Sequence, residues 1–264
     1  MKKRYVSYPF FFIIMVYTYL LLPAGEVFSS PVPRLWGETI PGVCTRMKTE
    51  EPVVALTLDA CGGKRGNGFD RELIEWLEKE KIPATLFVTG RWIEANEEVF
   101  LNLASSPLFQ IENHGMNHKP ASVSGQSAYG IKGACSIDEL LEEVDKGAAS
   151  IYNRTRRHPK LFRSGTNYYD DIALSIIKER GYSVVGYTIA GDGGASFSKK
   201  EIISVLLKAR PGDIILCHMN HPESSTAEGL MSVIPLLQEK GFRFVKLQDY
   251  PLFSQENDKK EGEK

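Results

Sequence analysis

Six side chains able to move a proton or hold a cation recur along the chain: Asp59, His114, His118, Arg163, Asp192 and His218. His114 and His118 stand four residues apart in Asn113-His114-Gly115-Met116-Asn117-His118. If this segment turns helically after Asn113, both imidazoles come to one side, which suits two ligands of a zinc-like ion. Such a centre also needs a carboxylate and an open water position, where the ion polarises a carbonyl and acidifies bound water. Asp59 fits as a ligand or as a base, and His218 fits as an acid. His221, in His218-Met219-Asn220-His221-Pro222, is a further imidazole, read as structural or substrate-contacting. Each group alone has an ordinary explanation, such as a helix cap, a surface charge or a hydrogen-bonded histidine. Their common position just after strand patterns carries more weight.

Val53-Val54-Ala55-Leu56-Thr57-Leu58-Asp59-Ala60-Cys61-Gly62-Gly63 is an apolar run ending in an acid and a glycine turn. That pattern is a buried strand delivering a carboxylate to its C-terminal end. Further strand patterns cover 84–90, 108–112, 160–162, 182–189, 213–217 and 242–246. Helical periodicity covers 69–81, 96–104, 136–156, 172–180, 199–209 and 228–240, with Ser136-Ile137-Asp138-Glu139 as a capping box. About seven strands alternating with helices predict an α/β fold, a distorted (β/α) barrel, with a doubly wound open sheet as the runner-up. In either fold the polar groups gather on the rim at the strands' C-terminal ends. The loop 119–135, rich in Ser, Gly and Ala, is read as a flap on the substrate side. Tyr168 and Tyr169, following Arg163 on that rim, rank above Trp92 and Tyr129 as residues that could stack on a sugar.

Composition narrows the partners. With 264 residues and a net charge of −1, the chain shows no basic excess for nucleic acid or an anionic membrane. No G-x-G-x-x-G or Walker loop is present, so nucleotide binding has no motif behind it. Lys2-Lys3-Arg4, an apolar run from Phe10 to Leu22 and small residues near Ser29 have the layout of a cleavable secretory signal. The run falls short of the ~20 residues of a spanning helix. The expected organisation is a signal peptide over 1–29, an irregular lead-in over 30–52, a catalytic domain over 53–250 and a disordered polar tail over 251–264. The expected location is periplasmic or extracellular, without stable membrane insertion once the signal is removed. Cys44, Cys61, Cys135 and Cys217 lack the close spacing of a zinc knuckle, which argues against a cysteine metal site. Export would permit a disulfide, with three full pairings open.

The ordered set of segments resembles the polysaccharide deacetylase family, the NodB-homology domain of carbohydrate esterases, from about Val53 to Leu247. Thr57-Leu58-Asp59-Ala60 is similar to its T-F-D-D motif, and His114-Gly115-Met116-Asn117-His118 to its H-S/T-x-x-H motif. Phe162-Arg163 with Ser164 to Asp170 resembles its F-R-x-P-Y-G segment without the proline. Leu216-Cys217-His218 matches L-x-H, and Ala84 to Gly90 the A-T-F-F-V-x-G strand. The resemblance implies a metal-dependent hydrolase acting on acyl groups, mainly N-acetyl, of an amino-sugar glycan of the cell envelope. It implies a divalent metal, zinc, at His114 and His118, with Asp59 as base, Arg163 orienting it and His218 protonating the leaving amine.

Two departures stand out. Ala60 occupies the place of the family's second aspartate and has no ligating atom. Tyr187-Thr188-Ile189-Ala190-Gly191-Asp192 lacks the usual Asp and Trp pattern and leaves Asp192 displaced by two positions. Three expectations follow: Asp59 binds the metal while Asp192 or another group acts as base; Asp59 stays the base beside a weaker two-histidine site; or the site binds glycan without hydrolysis. Hydrolysis of a small non-sugar amide is a further alternative.

Overall fold

A computed structural model describes residues 32–254. The segment read as a signal peptide and the tail from Gln255 lie outside the described residues. The main sheet comprises β1 (Val53–Ala60), β2 (Ala84–Val88), β3 (Phe109–Asn113), β4 (Leu161–Phe162), β5 (Ser183–Val184), β6 (Ile189–Ala190), β7 (Ile214–His218) and β8 (Arg243–Val245). Seven run in the order β5-β4-β3-β2-β1-β7-β6, every pair parallel. The eighth, β8, lies beside the first three residues of β1, Arg243 opposite Val53. The helices are α1 (Arg71–Lys79), α2 (Gly90–Ala95), α3 (Glu97–Ser105), α4 (Ile137–Thr155), α5 (Asp171–Glu179), α6 (Lys199–Leu206) and α7 (Thr226–Glu239).

Alternation along β1 sorts its side chains into two cores. Val54, Leu56, Leu58 and Ala60 pack outward against Leu73 and Leu77 of α1, Phe100 of α3, Ile202 of α6 and Leu230 and Val233 of α7. Val53 and Ala55 face the barrel interior with Phe87, Leu161, Val185 and Ile214. All eight residues of β1 are buried, each large apolar side chain contributing roughly 1.5–3 kcal/mol. The same period of two sends Thr57 and Asp59 into the barrel mouth.

The segment 182–189 is not one strand. Ser183–Val184 pairs with β4 at one edge of the sheet, and Ile189–Ala190 pairs with β7 at the other. Seven flat strands would hold those edges roughly 29 Å apart at ~4.8 Å per strand. Five residue steps reach no more than roughly 18 Å. The sheet therefore curls into a barrel with a gap, and residues 185–188 bridge the gap. The distorted barrel, not the open doubly wound sheet, is the fold.

The lead-in and tail also carry structure. Trp36–Gly37 pairs antiparallel with Tyr169–Asp170, and Arg46–Met47 with Leu252–Phe253. The stretch expected to be a polar tail from 251 thus begins with a paired strand, because Leu252 and Phe253 supply apolar side chains that Gln255 onward lacks. Two-residue strands leave no period to read in a sequence. The loop 119–135 holds a hairpin, Ser127–Ala128 against Ile131–Lys132, turned by Tyr129 and Gly130 at positive φ.

Caps fix the helix starts. Ser136 Oγ accepts from the Glu139 N–H, but the Glu139 carboxylate accepts from Cys135 N–H and pairs with Lys119, so the expected box is only half made. Ser198 and Glu201 make a full reciprocal box at α6. Ser198→Ala is expected to lower stability by about 1 kcal/mol in urea unfolding while leaving the rim, and any activity there, unchanged.

Candidate active site

Arg163, directly after β4, is fully buried at the barrel mouth. Its Nη1 donates to Asp59 Oδ1 at 2.8 Å and to Thr57 Oγ1 at 2.9 Å. Nε and Nη2 donate to the Val185 and Gly186 carbonyls, and the guanidinium lies 4.2 Å over the Phe87 ring. A buried cation survives only when its donors are met, and here carboxylate, hydroxyl, two carbonyls and an aromatic face meet them. Asp59 is thereby held by Oδ1, and its Oδ2 lies 3.5 Å from His114 Nε2.

The His114–His118 segment is not helical. It is a loop in which Gly115 takes φ +81 and His118 φ +62, and the two imidazole rings meet edge-on with centroids 5.0 Å apart. A buried carboxylate absent from the sequence reading builds the loop: Glu143 Oε1, on α4, accepts from the Asn117 and Lys119 N–H groups. Asn113 Oδ1 accepts from Gly115 N–H, and Asn113 Nδ2 donates to the Val144 carbonyl. Gly147 on α4 lets the loop approach, since a Cβ there would lie 2.6 Å from the Gly115 carbonyl carbon. His114 Nδ1 sits 2.9 Å from the Arg163 carbonyl, an acceptor only, so Nδ1 carries the proton. Nε2 is buried and makes no hydrogen bond; burial opposes a charge on the ring, but the Asp59 carboxylate and Cys61 outweigh it and hold its pKa above the ordinary imidazole range.

Asp192 lies behind His218. Its Oδ1 is 3.0 Å from His218 Nδ1 and accepts from Gly194 N–H; its Oδ2 accepts from His218 N–H and Thr226 Oγ1. Burial works against ionising Asp192, but the His218 charge and these hydrogen bonds outweigh it and hold the carboxyl below its ordinary range. Burial likewise opposes a charged His218, yet Asp192, with Cys61, holds that ring protonated well above the ordinary imidazole range. With every lone pair of Asp192 engaged, it has no face left for substrate. His221 pairs with exposed Glu223 and stands apart, its ring centroid 6.5 Å from that of His218.

Cys61 joins the cluster from the turn after β1. Its sulfur and one nitrogen each of His114 and His118 lie within 4.8 Å of one another, a group that could hold a metal ion. Burial raises the Cys61 thiol, but His118, His114 and His218 outweigh it and bring it well below the ordinary thiol range. Rules of local cysteine spacing miss this residue because its partners lie more than fifty positions along the chain. The four cysteines are all free; Cys44 and Cys217 are buried, Cys217 in the helix-facing core, and Cys135 is exposed just before α4.

A cavity of about 490 Å³ opens onto these groups, lined among others by Asp59, His118, His218, Tyr129, Tyr187 and Asn167. A larger groove of about 810 Å³ lies at the opposite strand ends, around Gln110, Lys160 and Leu247, where the one buried acid, Glu112, is consumed by the Lys160 and Leu161 N–H groups. Chemistry therefore selects the smaller cavity. Among the sugar-stacking candidates, Trp92 and Tyr169 are fully buried core residues. Tyr129 is 73% exposed at the hairpin tip beside the cavity, and Tyr168 packs between it and Trp36.

The family model for polysaccharide deacetylases matches residues 46–185, more than half of the chain. The chain belongs to the polysaccharide deacetylase family. It is an enzyme of that carbohydrate-directed hydrolase class. A peptidoglycan-N-acetylglucosamine deacetylase of Bacillus cereus is 26% identical over 211 residues, 78% of this chain and 92% of the relative. A family 4 carbohydrate esterase of Bacillus anthracis, 26% identical, superposes with a TM-score of 0.62 over 80% of this chain and 87% of that one. A pseudoenzyme of the same esterase family from Bacillus anthracis, 22% identical, shares the deacetylase fold with a TM-score of 0.65 over 80% of this chain and 69% of that one.

Two substitutions test this architecture. Arg163→Lys keeps the charge but strands the Val185 and Gly186 carbonyls, and should lower stability in urea unfolding by about 1–3 kcal/mol for each buried acceptor left unpaired. Gly147→Ala should cost roughly 1–3 kcal/mol in chemical unfolding by overpacking against Gly115, and should displace the His114 and His118 rings, read from their imidazole NMR signals.

Proposed function

We propose that this deacetylase is an exported, metal-dependent hydrolase that removes N-acetyl groups from an amino-sugar polymer or oligomer of the cell envelope, with zinc as its metal. The observation that carries the proposal is the buried His114 Nε2, without a hydrogen-bond partner and 3.5 Å from Asp59, with His218, held by Asp192, facing the cavity that Asp59 and His118 line. A buried ring nitrogen left without a hydrogen-bond partner is costly, and its environment fits a cation shared with His118. The peptidoglycan substrate in the name of the Bacillus cereus relative supports the substrate class, and the signal-like N-terminal sequence supports export.

When bound at His114 and His118, a divalent metal supplies Lewis acidity to the acetamide carbonyl and to water. Asp59 accepts the proton of the attacking water at Oδ2, the oxygen that Arg163 leaves free. Arg163 keeps that carboxylate aimed through its hydrogen bond to Oδ1. His218 donates a proton to the amide nitrogen as the carbon–nitrogen bond breaks, so that acetate and a free amine depart. Asp192 fixes the His218 ring by Nδ1 and turns its other nitrogen to the cavity; it is a positioning residue. Arg163, whose contacts are all protein groups, is another.

Acetate release from peptidoglycan fragments and chitooligosaccharides is the direct test, on protein stripped with chelator and reloaded with zinc. Asp59→Asn and His218→Ala should each lower kcat by roughly 10²–10⁴-fold, the range for losing a general base or acid. Folded protein whose turnover survives both substitutions, or zinc-loaded protein releasing no acetate from either substrate, would overturn the proposal. The second result would leave a non-catalytic glycan-binding protein.

A further inference from the structure

Strand alternation decides where a third metal ligand can come from. Ala60 is fully buried in the helix-facing core with Leu56 and Leu58, so its Cβ points away from the histidines. Thr57 and Asp59 point into the barrel mouth, and the next residue with that parity is Cys61. Its backbone is fixed: Thr89 Oγ1 and Arg91 Nε both donate to the Cys61 carbonyl at 2.9 Å. The thiol faces a built pair of nitrogens, one of them the buried and unpartnered His114 Nε2.

We infer that Cys61 is the third protein ligand of the metal, as a thiolate, completing a Cys-His-His centre in which Asp59 is left free as the proton acceptor. This rests on the divalent metal proposed above. Donor atoms around one tetrahedral zinc stand roughly 3.5 Å apart. The trio, already within 4.8 Å, needs only small side-chain rotations to close. Binding displaces the thiol proton to solvent and leaves a fourth position open, as a catalytic centre requires. Asp59 is the competing ligand, but Arg163 already holds one of its oxygens, and no other carboxylate lines the cavity. Two imidazoles and a thiolate select thiophilic ions, zinc and cobalt, over magnesium and manganese.

Cobalt provides a readout independent of turnover. Reduced, chelator-stripped full-length protein is titrated with Co²⁺ while the near-ultraviolet thiolate-to-cobalt charge-transfer band and the visible d–d bands are followed. Wild type and Cys135→Ser, which removes an exposed thiol outside the Cys61-His114-His118 group, should both show the thiolate band at one equivalent. Cys61→Ser should lose it and bind cobalt roughly tenfold or more weakly, by the loss of one soft ligand. Cys61→Asp should bind cobalt with d–d bands alone, and circular dichroism confirms that either variant folds. Cobalt bound by wild type with d–d bands and no thiolate band would overturn the Cys61 assignment while leaving the two-histidine centre standing. A thiolate band that survives Cys61→Ser would overturn the assignment as well. No cobalt or zinc bound by wild type would overturn the assignment and the metal-dependent reading together.

Discussion

The Arg163 guanidinium, sealed in the mouth of a barrel with a gap, ties the fold to its chemistry. Moving such a charge out of water costs several kcal/mol, and the protein offsets that by surrounding it with the Asp59 carboxylate, the Thr57 hydroxyl, two backbone carbonyls and the Phe87 ring. Two of those acceptors, at Val185 and Gly186, belong to the segment that bridges the open edges of the sheet. One side chain therefore draws together β1, the end of β4 and the bridge. Asp59 is oriented by the same contact that helps to keep the barrel closed, and its position is set before any ligand arrives.

Around this centre each buried acid is assigned to one task, and the separation of tasks lets several carboxylates coexist near one cavity. Asp192 spends its lone pairs on His218, Gly194 and Thr226, which keeps the imidazole charged and pointed. Glu143 spends one oxygen on the backbone of the loop that carries His114 and His118. Only Asp59 is left with an oxygen that faces both the histidines and the open space. The displaced Asp192 reaches the same ring from a different position in the chain, because Gly191 N–H pairs with the Leu216 carbonyl and brings the 189–194 turn against the end of β7.

How much of this was legible in the sequence depends on whether the signal was local. The apolar run into Asp59, the strand into Gly90 and the helices over 172–180 and 199–209 are local, and the structure places them within a few residues of where the pattern does, though Gly90 opens a short helix instead of ending a strand. The grouping of Asp59, His114, His118, Arg163, Asp192 and His218 followed from each lying at a strand's end. The shape of the 114–118 loop was not legible, because the carboxylate that folds it sits 26 residues beyond Asn117 on another element. The split of 182–189 was hidden for a related reason: its residues have strand character throughout, and only the closure of the whole sheet forces a break. By sequence Tyr129 ranks below Tyr168 and Tyr169, yet it is the exposed ring beside the cavity. Nothing in the sequence distinguishes its exposure from the burial of Tyr169.

Cys61 shows how a one-residue change of parity can be absorbed. A donor at position 60 would have to come from a side chain that β1 sends into the helix layer, where Leu58 and Val88 leave it no polar company. A donor at 61 needs only that the strand's alternation continue for one residue past its last ladder partner, and the carbonyl clamps from Thr89 and Arg91 hold it there. Exchanging carboxylate for thiolate then changes more than geometry. It swaps a hard ligand for a soft one, and it places an oxidisable atom at the centre of the site. Cys61 forms no disulfide. Coordination protects such a sulfur by engaging its lone pair. The choice of ligand and the integrity of the site are therefore coupled in this protein, whereas a carboxylate-ligated site would keep its donor through loss of the metal.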